Sequence, residues 1–202
     1  CRHGWPGNGE PVGICNLKRT AADMKHAGHR ITEKLFSPTG KRVAIVGAGP
    51  AGVAAAHDLS VLGHDVTLFE REGHPGGMLR YGIPAFRLPR DILEVELHNA
   101  LRLGVELKLG APVGKDTTTP VARLLHDYDA VLLTAGCMAP LPLALEGEWK
   151  NRDPADVCPD IEHGLPFLMA LHRDEKKTVR KRVAVVGAGF TALDCARVAS
   201  RL

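Results

Sequence analysis

The chain has 202 residues, enough for one full domain and part of another, and its 45% hydrophobic and 24% charged content excludes a mainly disordered protein. A formal net charge of +3 is too small to imply nucleic acid or a membrane surface as partner, and no apolar run reaches the roughly 20 residues of a membrane helix. Five cysteines, with no Cys-x-x-Cys pair, give no disulfide framework and fit reduced thiols in a cytoplasmic protein. The ten histidines are scattered and form no His-x-x-x-His ligand pair, so most are read as surface or loop residues.

In chain order, residues 1–40 are rich in Gly, Pro and short polar runs. Leu17 to Met24 could form a short helix, Ile31 to Phe36 is ambiguous, and Ser37-Pro38-Thr39-Gly40 reads as a linker. The texture then changes. Arg42 to Val46 is a β-branched apolar run of the kind buried on both faces of a parallel sheet. Gly47 to Gly52 follows, Val53 to Leu62 reads as a helix stopped by Gly63, and His64 to Glu70 reads as the next strand. Together they make a βαβ unit of about 30 residues, the usual size of such a unit. Glu72 to Pro89 is a long Gly/Pro-rich loop, of the kind that is usually functional inside a compact domain. Asp91 to Leu103 reads as a helix ended by Gly104, Val105 to Leu109 as a short strand, Val121 to His126 as a helix, and Asp129 to Thr134 as a further buried strand. Residues 137–165 form a Pro-rich, charged connector; Leu165 to His172 is a short helix; Arg182 to Val186 is a strand, and Thr191 to Leu202 a helix.

The fold class predicted is therefore α/β, with a Rossmann-like domain over 41–140, a connector over 141–180 and the start of a second Rossmann-like domain at 181–202. The repeat carries this reading. Lys41-Arg42-Val-Ala-Ile-Val-Gly-Ala-Gly49 recurs as Lys181-Arg182-Val-Ala-Val-Val-Gly-Ala-Gly189, an offset of 140 residues. In the first copy, Gly47 allows a tight turn out of the strand. Gly49 lets backbone N–H groups approach a pyrophosphate, and Gly52 lets the helix pack closely on the sheet. The helix N-terminus presents a positive dipole end, Pro50 suits its first turn, and Glu70, ending the next strand, can accept hydrogen bonds from a ribose. In the second copy, Gly187, Gly189 and Ala192 satisfy the same pattern, Ala being an accepted variant at the last position. Only 15 residues follow Gly187, whereas the residue that reads the ribose lies about 20 residues on, so the choice between NAD and NADP is open. A structural βα unit without ligand is the alternative here. Thr134-Ala135-Gly136 permits close backbone contact with a dinucleotide, or is simply a turn. Ser37, Ser60 and Ser200 lack a nucleophile-elbow context, and the basic run from Lys176 to Arg182 reads as a solvated loop.

These segments resemble the small (beta) subunit of NADPH-dependent glutamate synthase and the flavin half of dihydropyrimidine dehydrogenase. The resemblance is carried by Gly9-Glu-Pro-Val-Gly-Ile-Cys-Asn-Leu-Lys-Arg-Thr-Ala-Ala-Asp23, Val43 to Ala56, and Gly76-Gly-Met-Leu-Arg-Tyr-Gly-Ile-Pro-Ala-Phe-Arg-Leu-Pro89. Tyr128 to Leu133, Leu165 to Leu168 and Arg182 to Leu202 complete it. It implies FAD at the first glycine turn and NADP(H), or NAD(H), at the second. Gly47, Gly49, Pro50, Ala51, Gly52, Glu70, Gly77 and Met78 match flavin-contacting positions. Arg87 matches a basic residue near the flavin and Val113 a backbone contact, while Gly136 closes the strand beside them. Gly187, Ala188, Gly189 and Thr191 match the second pyrophosphate turn, but Phe190 stands where relatives often carry Asp or Asn.

The resemblance further implies that residues 1–40 are the end of a helical iron–sulfur domain. Cys1 would be the last ligand of its Cys-rich motif, or else an incidental thiol. One thiolate cannot hold a [4Fe–4S] cluster, which takes four, so a cluster is expected in the complete protein only. The implied activity is electron transfer from NADPH through flavin to iron–sulfur centres, with a glutamate synthase large subunit or another electron-acceptor subunit as partner, or the same module serving a dihydropyrimidine dehydrogenase or a ferredoxin-linked oxidoreductase. A non-catalytic dinucleotide-binding module is the distant alternative. No side-chain acid or base is required, so no catalytic residue is assigned. A chain of this extent is expected to be inactive alone and to bind flavin only in part.

Overall fold

The computed structural model describes residues 4–24, 33–140, 161–173 and 178–202. The chain divides into two compact units, Cys1–Thr32 and Glu33–Leu202. In the first, helix α1 (Ile14–Asp23) leaves all its residues exposed and carries an Arg19–Asp23 ion pair of 2.7 Å one turn apart. It starts three residues earlier than the apolar pattern from Leu17 suggested. Cys1 lies outside the described residues.

The second unit is built on strands β1 (Arg42–Val46), β2 (Asp65–Phe69), β3 (Glu106–Lys108) and β4 (Ala130–Leu133). They form one sheet in the order β3-β2-β1-β4, every pair parallel. Parallel neighbours need crossovers, and the helices supply them: α2 (Pro50–Val61) between β1 and β2, α3 (Met78–Tyr81) and α4 (Arg90–Leu101) before β3, and α5 (Val121–Asp127) before β4. Side chains alternate along β1. Val43 and Ile45 join Val53, Ala56, Leu93 and Leu97 in one buried cluster, while Ala44 and Val46 pack with Phe69 and Leu124 in another. The β-branched run therefore reflects a strand covered on both faces, as its sequence requires.

Residues 37–40, read as a linker, dock on the α2–β2 turn. Thr39 N–H donates to Gly63 O at 3.0 Å, and a Cβ on Gly63 would lie 2.3 Å from Ser37 O. The long loop is not structureless, since it holds α3.

Two expectations are corrected. The strand expected at 129–134 exists as β4, but it is not buried: Leu133 is 62% exposed, because β4 has one neighbour, β1, and sits at the sheet edge. The strand expected at 182–186 does not form. Among the described residues no strand lies beside it, and Val186 is 81% exposed. A strand is stabilised by its pairing and side-chain contacts rather than by its own backbone preference. Helices α6 (Gly164–His172) and α7 (Phe190–Ala199) complete the unit and share a cluster of Phe167, Leu168, Cys195 and Val198.

Candidate functional site

The carboxyl ends of β1, β2 and β4 converge. Because β2 lies on one side of β1 and β4 on the other, the chain leaves β1 at the point where the strand order reverses, the usual place for a ligand crevice in such a sheet. Gly47 turns there with φ +105°, and a Cβ on it would lie 2.5 Å from Thr134 O. A Cβ on Gly52 would meet Gly47 O at 1.9 Å. Both positions therefore exclude any side chain. Gly49 differs: it caps α2 with extended backbone (φ −75°, ψ −177°), and a Cβ there would meet no atom within 4 Å. It faces open space in front of the first turn of α2, where Ala51 and Gly52 N–H groups have no acceptor within the helix and Pro50 has no N–H to leave unpaired.

Glu70 is buried, with 6% exposure, and its carboxylate reaches the same turn. Oε2 accepts from Ala48 N–H at 2.8 Å, and Oε1 accepts from Glu72 N–H at 3.0 Å. Each oxygen keeps a further lone pair. The hydroxyl of Thr134, which residue-type reasoning passed over, lies 3.0 Å from Val46 O and 2.9 Å from Gly47 O and shares its one proton between them, tying β4 to the turn.

The long loop closes over this point. Gly76 N–H donates to Ala48 O at 2.8 Å, and Gly77 (φ +50°) approaches so closely that its Cβ would lie 2.7 Å from Gly49 Cα. Met78 then opens α3 beside them. Two arginines missed by sequence reading brace the loop. Arg80, buried, donates to Pro75 O at 2.7 Å and pairs with Glu94. Arg90 donates to Leu79 O and Ile83 O at 3.1 and 2.9 Å; burial, followed by the Arg80 charge, holds its pKa below the ordinary value. The α6 segment docks on the same loop. His172 Nδ1 lies 2.8 Å from Tyr81 O, and Arg173 pairs with Glu72 at 2.7 Å.

Arg87 lies on the same loop, but its guanidinium reaches α7. Nη1 bonds Asp194 Oδ2 at 2.6 Å and the group lies over the Phe190 ring. Val113 is bridged to Thr119 and packs against the Ala44–Phe69–Leu124 cluster, as does Val46, the residue before the glycine turn; Ala111 N–H donates to Glu70 O at 2.8 Å. Gly136 adopts φ +73° in open space two residues past Thr134.

The second glycine turn reproduces the first locally, although its strand is absent. Gly187 has φ +124°, and Gly189 caps α7 with φ −78° and ψ 174°. A Cβ on Gly187 would lie 3.5 Å from that of Ala192, and the turn takes an alanine where the first turn has Gly52. Ala188 and Thr191 are exposed around it. A cavity of about 500 Å³ lies at the opposite, amino ends of the strands, lined by Arg42, Asp65, Glu106, Tyr128 and neighbours, and holds none of the expected residues. Among the described residues no cluster of three or more His, Cys, Asp or Glu could hold a metal, and no helix is long and apolar enough to cross a membrane.

The comparisons agree with this geometry. The chain is 41% identical over 193 residues to the NADP(+)-dependent formate dehydrogenase subunit beta of Moorella thermoacetica, covering 95% of this chain and 26% of that protein. It is 39% identical to the glutamate synthase [NADPH] small chain of Escherichia coli, covering 94% and 41%. To the NAD-dependent dihydropyrimidine dehydrogenase subunit PreT of Salmonella typhimurium it is 35% identical, covering 97% and 46%. The chain thus spans less than half the length of these relatives. Among solved structures, FprA of Mycobacterium tuberculosis in complex with NADPH shares the fold with a TM-score of 0.63 at 22% identity, over 78% of this chain and 36% of that one. A model of the family described as pyridine nucleotide-disulphide oxidoreductase matches residues 41–202, and the chain belongs to that family.

Proposed function

We propose that the turn at 47–52 holds the diphosphate of FAD and the turn at 187–192 holds NADP(H) or NAD(H), in a protein that draws electrons from the nicotinamide for a partner subunit. The observation that carries this is the convergence on one turn of Glu70, Thr134 and Gly77. It leaves Gly49 as the open position over a helix N-terminus.

The residues present fit the group. The first-turn N–H groups and dipole of α2 face the place where a diphosphate would lie. Glu70 keeps lone pairs for ribose hydroxyls, and the Gly76–Gly77 turn seals one side against water. FAD, when bound, supplies the exchange of a hydride for single electrons, while the chain supplies placement and electrostatics. Arg87 is proposed to place positive charge beside the flavin. Replacing it with Ala is expected to lower the flavin reduction potential, and an unchanged potential would remove that role.

The iron–sulfur centre implied by the family resemblance finds no ligand set among the described residues. Cys1 is proposed as a ligand only in company with thiolates outside this sequence.

For the acceptor, glutamate synthase is the first reading, supported by the 39% identity to a small chain. The 41% identity to a formate dehydrogenase beta subunit supports a second, the same module serving another acceptor subunit. Assays of the complete protein with its co-purifying partner test this directly. Oxidation of NADPH that requires glutamine plus 2-oxoglutarate is the expected result. NADPH oxidation linked instead to uracil, or NADP+ reduction linked to formate, would select the second reading.

A further inference from the structure

The segment from Gly77 to Pro89 rests on the first glycine turn at one end and, at the other, on α7, the helix opened by the second turn 140 residues on. Gly77 rests against Gly49 of the first turn. Nine and ten residues later, at Phe86 and Arg87, the same segment is gripped by α7, the helix that the second turn opens. Arg87 bonds Asp194 at 2.6 Å, and Asp194 is buried, its side chain 7% exposed. Arg87 also lies over Phe190, the first residue of α7. Phe86 is covered by two cations, Arg197 of the same helix at 4.6 Å and Arg201, just beyond its end, at 4.3 Å from its ring centre.

The loop between these grips is stiff. Pro84 is fully buried, its carbonyl accepts from Arg87 N–H at 2.9 Å and Leu88 N–H at 3.1 Å, and Arg90 ties Leu79 and Ile83 carbonyls together. A rigid segment anchored to two ligand turns passes a displacement of one to the other. The Arg87–Asp194 pair is the firmest of its anchors, because removing Arg87 would leave the buried Asp194 charge uncompensated.

We infer that Asp194 is a positioning residue that couples the two nucleotide sites: through Arg87 it fixes the second turn only when the flavin-side loop is in place. Occupation of the first turn by FAD therefore tightens binding of the nicotinamide nucleotide at the second. By linkage, the nucleotide tightens FAD by the same factor. This rests on the assignment of FAD to the first turn.

The test is calorimetric titration of the complete protein with NADP+, and with NAD+, before and after FAD reconstitution. In the wild type the loaded protein is expected to bind the preferred nucleotide at least about fivefold more tightly, the lower range of measured couplings. In Asp194→Asn the ratio falls to about one, whereas Asp194→Glu, which keeps the carboxylate, recovers part of it. Arg87→Gln breaks the same pair from the loop side and serves if the buried substitution prevents folding. The Arg87→Gln/Asp194→Asn double variant is expected to lose no more coupling than either single change. A wild-type ratio in either single variant, or additive losses in the double variant, would overturn the inference while leaving the FAD assignment intact. A wild-type protein that binds no FAD would overturn both.

Discussion

Gly77 shows how little freedom the site leaves a single residue. Its φ of +50° is unfavourable for a side chain, and the Cβ of an alanine would stand 2.7 Å from Gly49 Cα. Gly77→Ala is expected to cost about 2–3 kcal/mol in stability, the range for strained backbone with no room to relax, and to weaken FAD binding at least as much as it weakens the fold. Urea unfolding and flavin fluorescence titration measure the two. Glu70→Gln has a different signature. Both carboxylate oxygens accept backbone N–H groups, and an amide turns a donor toward one of them. A loss of about 1–3 kcal/mol is expected, and stability equal to wild type would show that the carboxylate does not hold the turn. Gly47, Gly49, Gly52 and Glu70 were legible because their spacing is a local pattern. Thr134 and Asp194 were not, since each acts on a partner far off in sequence, Thr134 on Gly47 and Asp194 on Arg87.

At the level of elements, strands β1 and β2 and, among the described residues, the five longer helices of the second unit follow from apolar periodicity and glycine stops, with ends shifted by up to three residues. Failure of the 182–186 segment to form a strand, despite near identity with β1, has a physical cause. Nearly the same residues pair in one place and, among the described residues, have no strand beside them in the other. Helix α3 was hidden because four residues between glycines carry no period. The docking of α6 on the loop gives a pH dependence. His172 is half-buried, and desolvation, only partly offset by its bond to Tyr81 O, holds its pKa below the ordinary 6.5. The unfolded chain then binds the proton more readily than the folded one. Its contribution is fully present above about pH 6.5 and is lost as pH falls from there through the folded pKa. Replacing His172 with Gln is expected to flatten this part of the stability–pH curve, followed by thermal melts between pH 5 and 7. An identical slope in the variant would assign the dependence to other groups.

For the molecule as a whole, one parallel sheet delivers three strand ends to one turn, and one loop connects that turn to its distant copy. The family follows from the match over residues 41–202; the acceptor does not, since relatives with different activities are similarly close. The most direct measurement is a crystal structure of the complete protein with FAD. The diphosphate is expected within hydrogen-bond distance of the Ala51 and Gly52 N–H groups, with the adenosine ribose on the Glu70 carboxylate. A diphosphate bound anywhere else, or a Glu70 carboxylate turned away from the sugar, would contradict the account.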